Sequence, residues 1–223
     1  AAVRAASTSG RGLLPPVLAH WRAAAVWGHE GELCELRRAP LIDGFEAMAG
    51  MLDQLGGGMG SYILADTKKM RASQASPSED EYRAWLVSEL PVHAATKYRE
   101  YLDNSAWMAN LWIGWSLEFF VELFAHLHKG QDTKAGVDLA YKQTLSKHHN
   151  ILQRTAFSAA VKKLPSRQHL LERLRGDGAS AEDVSRDLAA FVALGHAIAR
   201  CCSQVNEDLK ALQVREREAL RVR

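Results

Sequence analysis

The chain has 223 residues, 47% of them hydrophobic, which suits one large domain or two small ones with a sizeable core. Its 28 Lys and Arg residues against 26 Asp and Glu leave a net charge of +2, too little for the counterion-release binding that nucleic acid favours. No run of about 18 uncharged apolar residues occurs, and the mean hydropathy is −0.21, so we expect no segment to span a bilayer.

The three cysteines indicate a compartment. There are three of them, Cys34, Cys201 and Cys202, which is an odd number without CxxC spacing. This pattern favours buried thiols in a reducing environment, so we expect a cytoplasmic protein. Residues 1–12 are small and hydroxylated, and we expect them to be a flexible terminus. Residues 13–223 are expected to form a single domain.

The spacing of apolar residues predicts helices in the first half of the chain. A Pro-Pro pair at 15–16 is expected to open a helix that carries Trp21 and Trp27. Apolar positions three and four residues apart predict a helix over 41–55, which three glycines end, and a second helix over about 61–75.

Further helices are expected up to the middle of the chain. Ser78 and Glu81 have the spacing of a capping box, so a helix is expected to begin there and to continue until Pro91 interrupts or kinks it. The segment 103–128 is apolar nearly all the way round, which is typical of a central helix that touches neighbours on several sides.

The second half of the chain also has helical patterns. We expect one helix from about 136 to 163, a short one over 168–175, and a long last helix that Ser180 and Asp183 cap and that reaches about residue 213. No stretch alternates β-branched with polar residues as a strand does. The predicted fold class is therefore all-α, with about eight helices.

No motif argues for an enzyme, a cofactor or a bound metal. Nucleophile elbows, Walker loops, HExxH and CxxC patterns are all missing from the sequence. His126 and His128 are two residues apart, which places them on different faces of a helix and argues against a shared metal. His148 and His149 diverge likewise, so at most one of them is expected to face inward.

Asp66 is the first candidate binding residue, because it follows an apolar run inside a predicted helix. Its carboxylate is expected where an apolar interior meets water, a suitable place to hold a lipid headgroup. The residue pattern leaves the alternative of a solvated acid paired with Lys69 or Lys68. It likewise leaves Trp112 open between a core residue and a plate for a ligand.

Three segments together resemble the glycolipid transfer protein family, which includes a ceramide-1-phosphate branch. They are LIDGFEAMAGMLDQLGGGMGSYILAD, NLWIGWSLEFF and AYKQTLSKHHNILQRTAFSAAVKKLP, and the resemblance extends over about 41–212. In the third segment the histidine is expected on a long helix that ends at a proline. The resemblance implies a two-layer sandwich of helices that encloses a hydrophobic lipid pocket.

The resemblance also implies roles for individual residues. Asp66 corresponds to the family's acid that accepts from the amide of the ceramide, His149 to the donor to the amide carbonyl, and Trp112 to the plate under the first sugar. Ile151 stands where glycolipid-transferring members have a Trp that docks on membranes. The expected lining of the chain pocket is Phe45, Ile63, Phe119, Leu123, Leu145, Phe157 and Val161.

The headgroup positions depart from both branches of the family. Glycolipid-binding members have Asn and Lys where this chain has Met70 and Ser73, and phosphate-binding members have cations near the positions of Met70, Trp112 and Ser116. Lys69, three residues after Asp66, is expected to serve as a substitute donor. Glu118 would repel a phosphate if it faced the site.

These features predict a carrier that moves sphingolipids between membranes, and they favour glycosylated ceramides as its cargo. The expected partners are a sphingolipid and a transient membrane surface, with no nucleic acid, no cofactor and a monomeric state. Two alternatives remain from the sequence: a carrier of ceramide-1-phosphate, and a lipid sensor or scaffold that acts through a protein partner.

Overall fold

The computed structural model describes residues 11–56, 58–73, 80–94, 104–161 and 164–221. Nine α-helices lie within these ranges, together with two short strands and one 3-10 turn, which confirms the predicted all-α class. Most of the predicted flexible terminus and the predicted cap at Ser78 fall outside these ranges. The elements are α1 (Leu14–Ala24), β1 (Ala25–Trp27), β2 (Leu33–Leu36), α2 (Arg38–Leu55), α3 (Gly60–Ala72), α4 (Tyr82–Ala94), α5 (Ala106–His128), α6 (Thr133–Gln143), the 3-10 turn (Leu145–Lys147), α7 (Ile151–Val161), α8 (Arg167–Arg175) and α9 (Ala181–Arg221).

Helix α5 lies at the centre of the fold, as its apolar circumference predicts. It packs against α3, α4, α6 and, most extensively, α9. An aromatic cluster joins α1, α5 and α9. The ring centroids of Phe124 on α5 and Phe191 on α9 are 5.1 Å apart, and that of Trp21 on α1 is 4.8 Å from that of Phe191. All three are fully buried. The predicted central helix is thus confirmed, although it begins at Ala106.

The last helix begins at the predicted cap and ends later than predicted. The Ser180 amide donates to Asp183 and the Asp183 amide donates to Ser180 Oγ, both at 3.0 Å, which completes a reciprocal capping box. The helix then continues to Arg221 instead of ending near residue 213. The part of this helix over 181–215 is long and apolar enough to cross a membrane, but 56% of its apolar 18-residue stretch is buried inside the protein. Packing against α5 accounts for that apolar face.

Two short strands replace part of the first predicted helix. Helix α1 ends where Ala25 turns to an extended conformation, so Trp27 lies in β1 and pairs with Leu33 of β2. The turn between the strands requires a positive φ, which Gly31 supplies at +85°. Strands of three and four residues are too short to show an alternating pattern, and for that reason the expectation of no strand was wrong here.

The helix predicted over 136–163 is broken in the structure. Thr144 has φ −120° and ψ −83°, outside the helical range, and its hydroxyl donates to the Ala140 carbonyl at 2.7 Å. Asn150 then caps a new helix, α7, through two hydrogen bonds that it exchanges with Gln153, each of 2.9 Å. Both histidines therefore lie in the segment between two helices, and the prediction that His149 is on a long helix was wrong.

Pro91 does not end α4, which continues to Ala94. A proline at this position removes the hydrogen bond to the carbonyl four residues earlier, and its ring crowds that carbonyl. Since only three residues follow it in the helix, the loss falls in the last turn.

Candidate functional site

Asp66 lies on α3 in an ion pair with Lys69, one turn further along the helix. The Lys69 Nζ is 3.0 Å from Asp66 Oδ1, and the two side chains are only 24% and 14% exposed. A pair this shielded is weakened less by solvent than an ordinary surface pair. The pairing that the sequence left open is therefore present, and it places an acceptor and a donor side by side.

The other candidate residues on α3 have different surroundings. Met70 is 2% exposed and belongs to the hydrophobic core, so it offers no donor at this position. The hydroxyl of Ser73 donates to Glu89 at 2.9 Å. Arg71 turns towards α2, where it binds Asp43 and Glu46 at 2.6–2.9 Å. Arg71 thus points away from Asp66.

Glu89 is a buried acid that the sequence analysis missed. Its side chain comes from α4 and is 5% exposed, and it accepts hydrogen bonds from the backbone amides of Ala106 and Trp107 at 2.9 and 2.8 Å. Those amides begin α5, where a helix leaves its N–H groups without partners and favours a negative charge. Glu89 therefore fixes the start of the central helix and, through Ser73, the end of α3.

Glu89→Ala is expected to destabilise the protein by about 3 kcal/mol or more, because buried donors lose their acceptor and each costs about 1–3 kcal/mol. Ser73→Ala removes one neutral hydroxyl from the same cluster and is expected to cost about 1 kcal/mol. Urea unfolding of both variants measures the difference. Equal free energies of unfolding for the two variants would contradict this role of Glu89.

Trp112 and Trp115 on α5 meet the two histidines from the broken helix. The ring centroids of Trp112 and His149 are 6.3 Å apart, and His148 stacks on Trp115 at 3.6 Å with an angle of 9° between planes. Trp112 and Trp115 contact each other edge to face at 5.1 Å. All four side chains are half-buried. The expectation that at most one histidine faces inward was wrong, because the segment is not helical there.

His149 is held on both sides. The Tyr141 Oη lies 3.1 Å from His149 Nδ1, and Arg154 donates to the His149 carbonyl at 3.0 Å and to the Ser146 carbonyl at 2.9 Å. Burial, with a smaller contribution from Arg154, lowers the pKa of His149 below its ordinary value. Burial raises the pKa of Tyr141, which keeps the phenol protonated. His149 is therefore neutral at neutral pH and has a hydrogen-bond partner at Nδ1.

Helix α3, which carries Asp66, packs against α5, which carries Trp112. Across the described ranges, no three His, Cys, Asp or Glu side chains cluster as metal ligands would. The site therefore offers an acid paired with a lysine, an aromatic face and a positioned neutral imidazole.

Comparison with known proteins decides the family. The family model described as glycolipid transfer protein (GLTP) matches residues 37–176, which is more than half of the chain. The chain belongs to the glycolipid transfer protein family. A relative from Arabidopsis thaliana, glycolipid transfer protein 1, is 29% identical over 185 residues, which cover 81% of this chain and 85% of that protein.

Solved structures of this family have the same fold. The human ceramide-1-phosphate transfer protein in complex with 12:0 ceramide-1-phosphate matches with a TM-score of 0.73 at 18% identity, over 89% of this chain and 97% of that one. A fungal glycolipid transfer protein matches with a TM-score of 0.69 at 19% identity, over 88% and 93% of the two chains. These matches confirm the predicted glycolipid transfer protein fold. The relatives named here are transfer proteins, not enzymes.

Most of the residues expected to line the chain pocket of this family member lie in the hydrophobic core. Phe45, Ile63, Phe119, Leu123 and Leu145 are at most 6% exposed. Two others are on α7 and are half-buried: Phe157, whose ring meets those of Phe119 at 5.4 Å and Tyr141 at 4.0 Å, and Val161. Opening a pocket between α5 and α7 therefore requires the separation of these aromatic contacts.

The first turn of α7 presents an apolar surface to solvent. Ile151 is 84% exposed and the next residue, Leu152, is 78% exposed. Ile151 is the predicted membrane contact, and Leu152 is a second exposed apolar side chain beside it. Tyr62 on α3, 74% exposed, is another large side chain that faces solvent.

Three contributors to the site escaped the sequence analysis: Tyr141, Arg154 and Glu89. Tyr141 and Arg154 act on His149 across the break between helices, which the sequence did not reveal. Glu118, by contrast, was considered as a source of repulsion towards phosphate. It accepts a hydrogen bond from Ser203 on α9 at 2.8 Å, so it faces the neighbouring helix.

Proposed function

We propose that the protein carries a sphingolipid between membranes, binding the ceramide amide at Asp66 and His149 and enclosing the hydrocarbon chains between α5 and α7. The observation that carries this proposal is the meeting of Trp112 with a neutral, positioned His149, next to the helix that bears Asp66. Membership of the glycolipid transfer protein family supports it.

The amide is held by one acceptor and one donor. The Asp66 carboxylate accepts from the amide N–H, and the Tyr141 hydroxyl donates to His149 Nδ1, which leaves Nε2–H to donate to the amide carbonyl. Without partners, each of these amide groups would cost about 1–3 kcal/mol on entering an apolar pocket. The paired Lys69 remains beside Asp66 as a donor to a headgroup oxygen.

A sugar headgroup suits the surroundings better than a phosphate. A phosphate needs several charge-assisted donors, but Arg71 is engaged by Asp43 and Glu46. Lys69 can donate to a headgroup oxygen, but its charge is partly balanced by Asp66. The half-buried face of Trp112 provides apolar contact for the C–H side of a pyranose ring. We therefore propose a glycosylated ceramide as the cargo.

The chains enter by displacing α7 from α5. Each CH₂ group that leaves water contributes about 0.8 kcal/mol, so a chain that replaces the contacts of Phe157 with Phe119 and Tyr141 offsets their loss. The same helix begins with the exposed Ile151 and Leu152, and we propose that this turn inserts into the membrane where the lipid is taken up.

Ile151→Asp is expected to slow transfer and to lower binding to neutral vesicles about tenfold or more, because a buried isoleucine side chain contributes about 1.5–3 kcal/mol. Val214→Asp is the matched control, since Val214 is a 53% exposed apolar residue on α9. Vesicle sedimentation and transfer rates measure both effects. The same decrease for both variants would contradict a specific role for the first turn of α7.

Competition and mass spectrometry test the cargo. A glycosylceramide is expected to displace a labelled ceramide-1-phosphate from the protein at lower concentration than ceramide-1-phosphate itself requires.

Native mass spectrometry of the purified chain is expected to detect a bound lipid with two chains. A stable complex with another protein and no lipid would instead support a scaffold.

A further inference from the structure

A groove of about 480 Å³ lies between α8 and the first two turns of α9, beside the last residue of α5, His128. We call it the α8–α9 groove. It is about 24 Å from Trp112 along α5, since sixteen residues separate Trp112 from His128 at about 1.5 Å per residue. Neither Asp66 nor His149 borders it. The groove is therefore separate from the headgroup site.

The floor of the α8–α9 groove is apolar. Val184 and Leu188 of α9 are 7% and 2% exposed, and the half-buried Leu171 of α8 packs against the same core. Arg167 and Arg175, the first and last residues of α8, border the two ends of the groove. Eight residues of helix separate them, so the floor extends over about 12 Å.

Both arginines use one nitrogen to bind the protein backbone. Arg167 Nε donates to the Leu127 carbonyl at 2.8 Å, and Arg175 Nε donates to the Ala179 carbonyl at 2.5 Å. Within the described part of the chain, neither guanidinium has an acidic partner within salt-bridge distance. These bonds fix the stem of each side chain and leave the terminal nitrogens for a ligand.

The acid that borders the groove is already engaged. Glu172 accepts from Gln168 Nε2 at 3.0 Å, and its other oxygen is 3.5 Å from His169 Nδ1. Among the described residues it forms no ion pair with Arg167 or Arg175, so two arginines against one glutamate leave the groove lining with a net positive charge. A positive charge at each end of an apolar floor selects for a ligand that combines an anionic group with an aliphatic part.

We propose that the α8–α9 groove binds an amphipathic anion, a phosphate or carboxylate attached to a short aliphatic chain. A guanidinium pairs with either anionic group through two parallel hydrogen bonds, and the chain lies along Leu171, Val184 and Leu188. The volume falls within the range of about 300–1,000 Å³ that is usual for small-molecule sites. A free phosphate lacks the aliphatic part, and a neutral detergent lacks the charge.

Titration of the full ¹⁵N-labelled chain with octyl phosphate, followed by NMR, tests the proposal. The amides of 167–188 are expected to shift on saturable binding of one molecule. Arg167→Gln and Arg175→Gln are each expected to weaken that binding about tenfold or more. Arg186→Gln is the matched control, because Arg186 is an exposed arginine of α9 that pairs with Asp183 and does not border the groove. Its affinity for octyl phosphate is expected to be unchanged.

Further probes test whether binding requires both the anionic group and the aliphatic chain of the ligand, and whether the ligand is a free molecule or a lipid in a membrane. Inorganic phosphate and octyl glucoside are expected to bind at least about tenfold more weakly than octyl phosphate, and Ser185→Trp, which fills the groove without changing its charge, is expected to block binding. Vesicles that contain phosphatidic acid present the same phosphate at a membrane. If only these vesicles bind, and Arg167→Gln and Arg175→Gln weaken that binding, the ligand is a lipid headgroup.

The proposal is overturned if Arg167→Gln and Arg175→Gln weaken neither the binding of octyl phosphate nor the binding of the vesicles. It is also overturned if octyl phosphate shifts only the amides of α3, α5 and 144–150, because the probe then occupies the family's lipid site.

Discussion

Asp66→Val is expected to abolish detectable transfer of a glycosylceramide while the protein remains folded. The substitution removes the acceptor for the amide N–H and leaves that group unpaired in an apolar site. Losing one or two such hydrogen bonds costs roughly 2–4 kcal/mol, or about 30- to 1,000-fold in affinity. Transfer of a fluorescent glycosylceramide between vesicles measures the effect.

Two controls make the loss specific to lipid binding. Asp43→Asn changes an acid on α2 that pairs with Arg71, and transfer is expected to continue at the normal rate. Thermal unfolding of Asp66→Val is expected to remain cooperative, since loss of the shielded pair with Lys69 costs about 1–3 kcal/mol, less than the about 5–15 kcal/mol that stabilises a typical domain. Normal transfer by Asp66→Val would contradict the role given to the carboxylate.

Trp112→Ala is expected to change which lipid is bound. Without the indole face a sugar loses its apolar contact, so affinity for glycosylceramide is expected to fall about tenfold, whereas ceramide-1-phosphate, which has no sugar to stack, loses less. The measured quantity is the ratio of the two affinities, obtained by competition against one labelled lipid. Trp112→Phe, which keeps an aromatic face, is expected to have an affinity ratio between those of Trp112→Ala and the unaltered protein.

Trp115→Ala is the matched control for this substitution. Trp115 contacts Trp112 at its edge and stacks on His148, so its removal disturbs the same cluster without removing the proposed plate. The affinity ratio is expected to remain unchanged for Trp115→Ala. An equal loss of both lipids in Trp112→Ala would indicate a structural role for Trp112 in place of sugar recognition.

The sequence predicted the helices that have a regular apolar face. The period of three and four residues locates α2 and α3, and the apolar circumference of α5 identifies the central helix, because burial against the core imposes these patterns directly. The reciprocal cap of Ser180 and Asp183 was predicted for the same reason: it depends on residues three positions apart. The placement of Asp66 on α3 follows from these local patterns.

Interactions between distant residues could not be predicted in this way. Residues 144–150 are mostly weak helix formers, so the break at Thr144 and Asn150 has a local signal, but only the folded chain shows that Tyr141 and Arg154 then hold His149. Glu89 binds the amides of Ala106 and Trp107 across a gap of 17 residues or more, with no local signal. The roles of Asp66, His149 and Trp112 in lipid binding remain predictions.

The most direct measurement is the rate at which the purified protein moves a labelled glycosylceramide from donor to acceptor vesicles. Transfer is expected to accelerate in proportion to protein concentration, and an excess of unlabelled glycosylceramide in the donor vesicles is expected to suppress transfer of the labelled lipid. No acceleration with either glycosylceramide or ceramide-1-phosphate would contradict the proposal that this protein is a sphingolipid carrier.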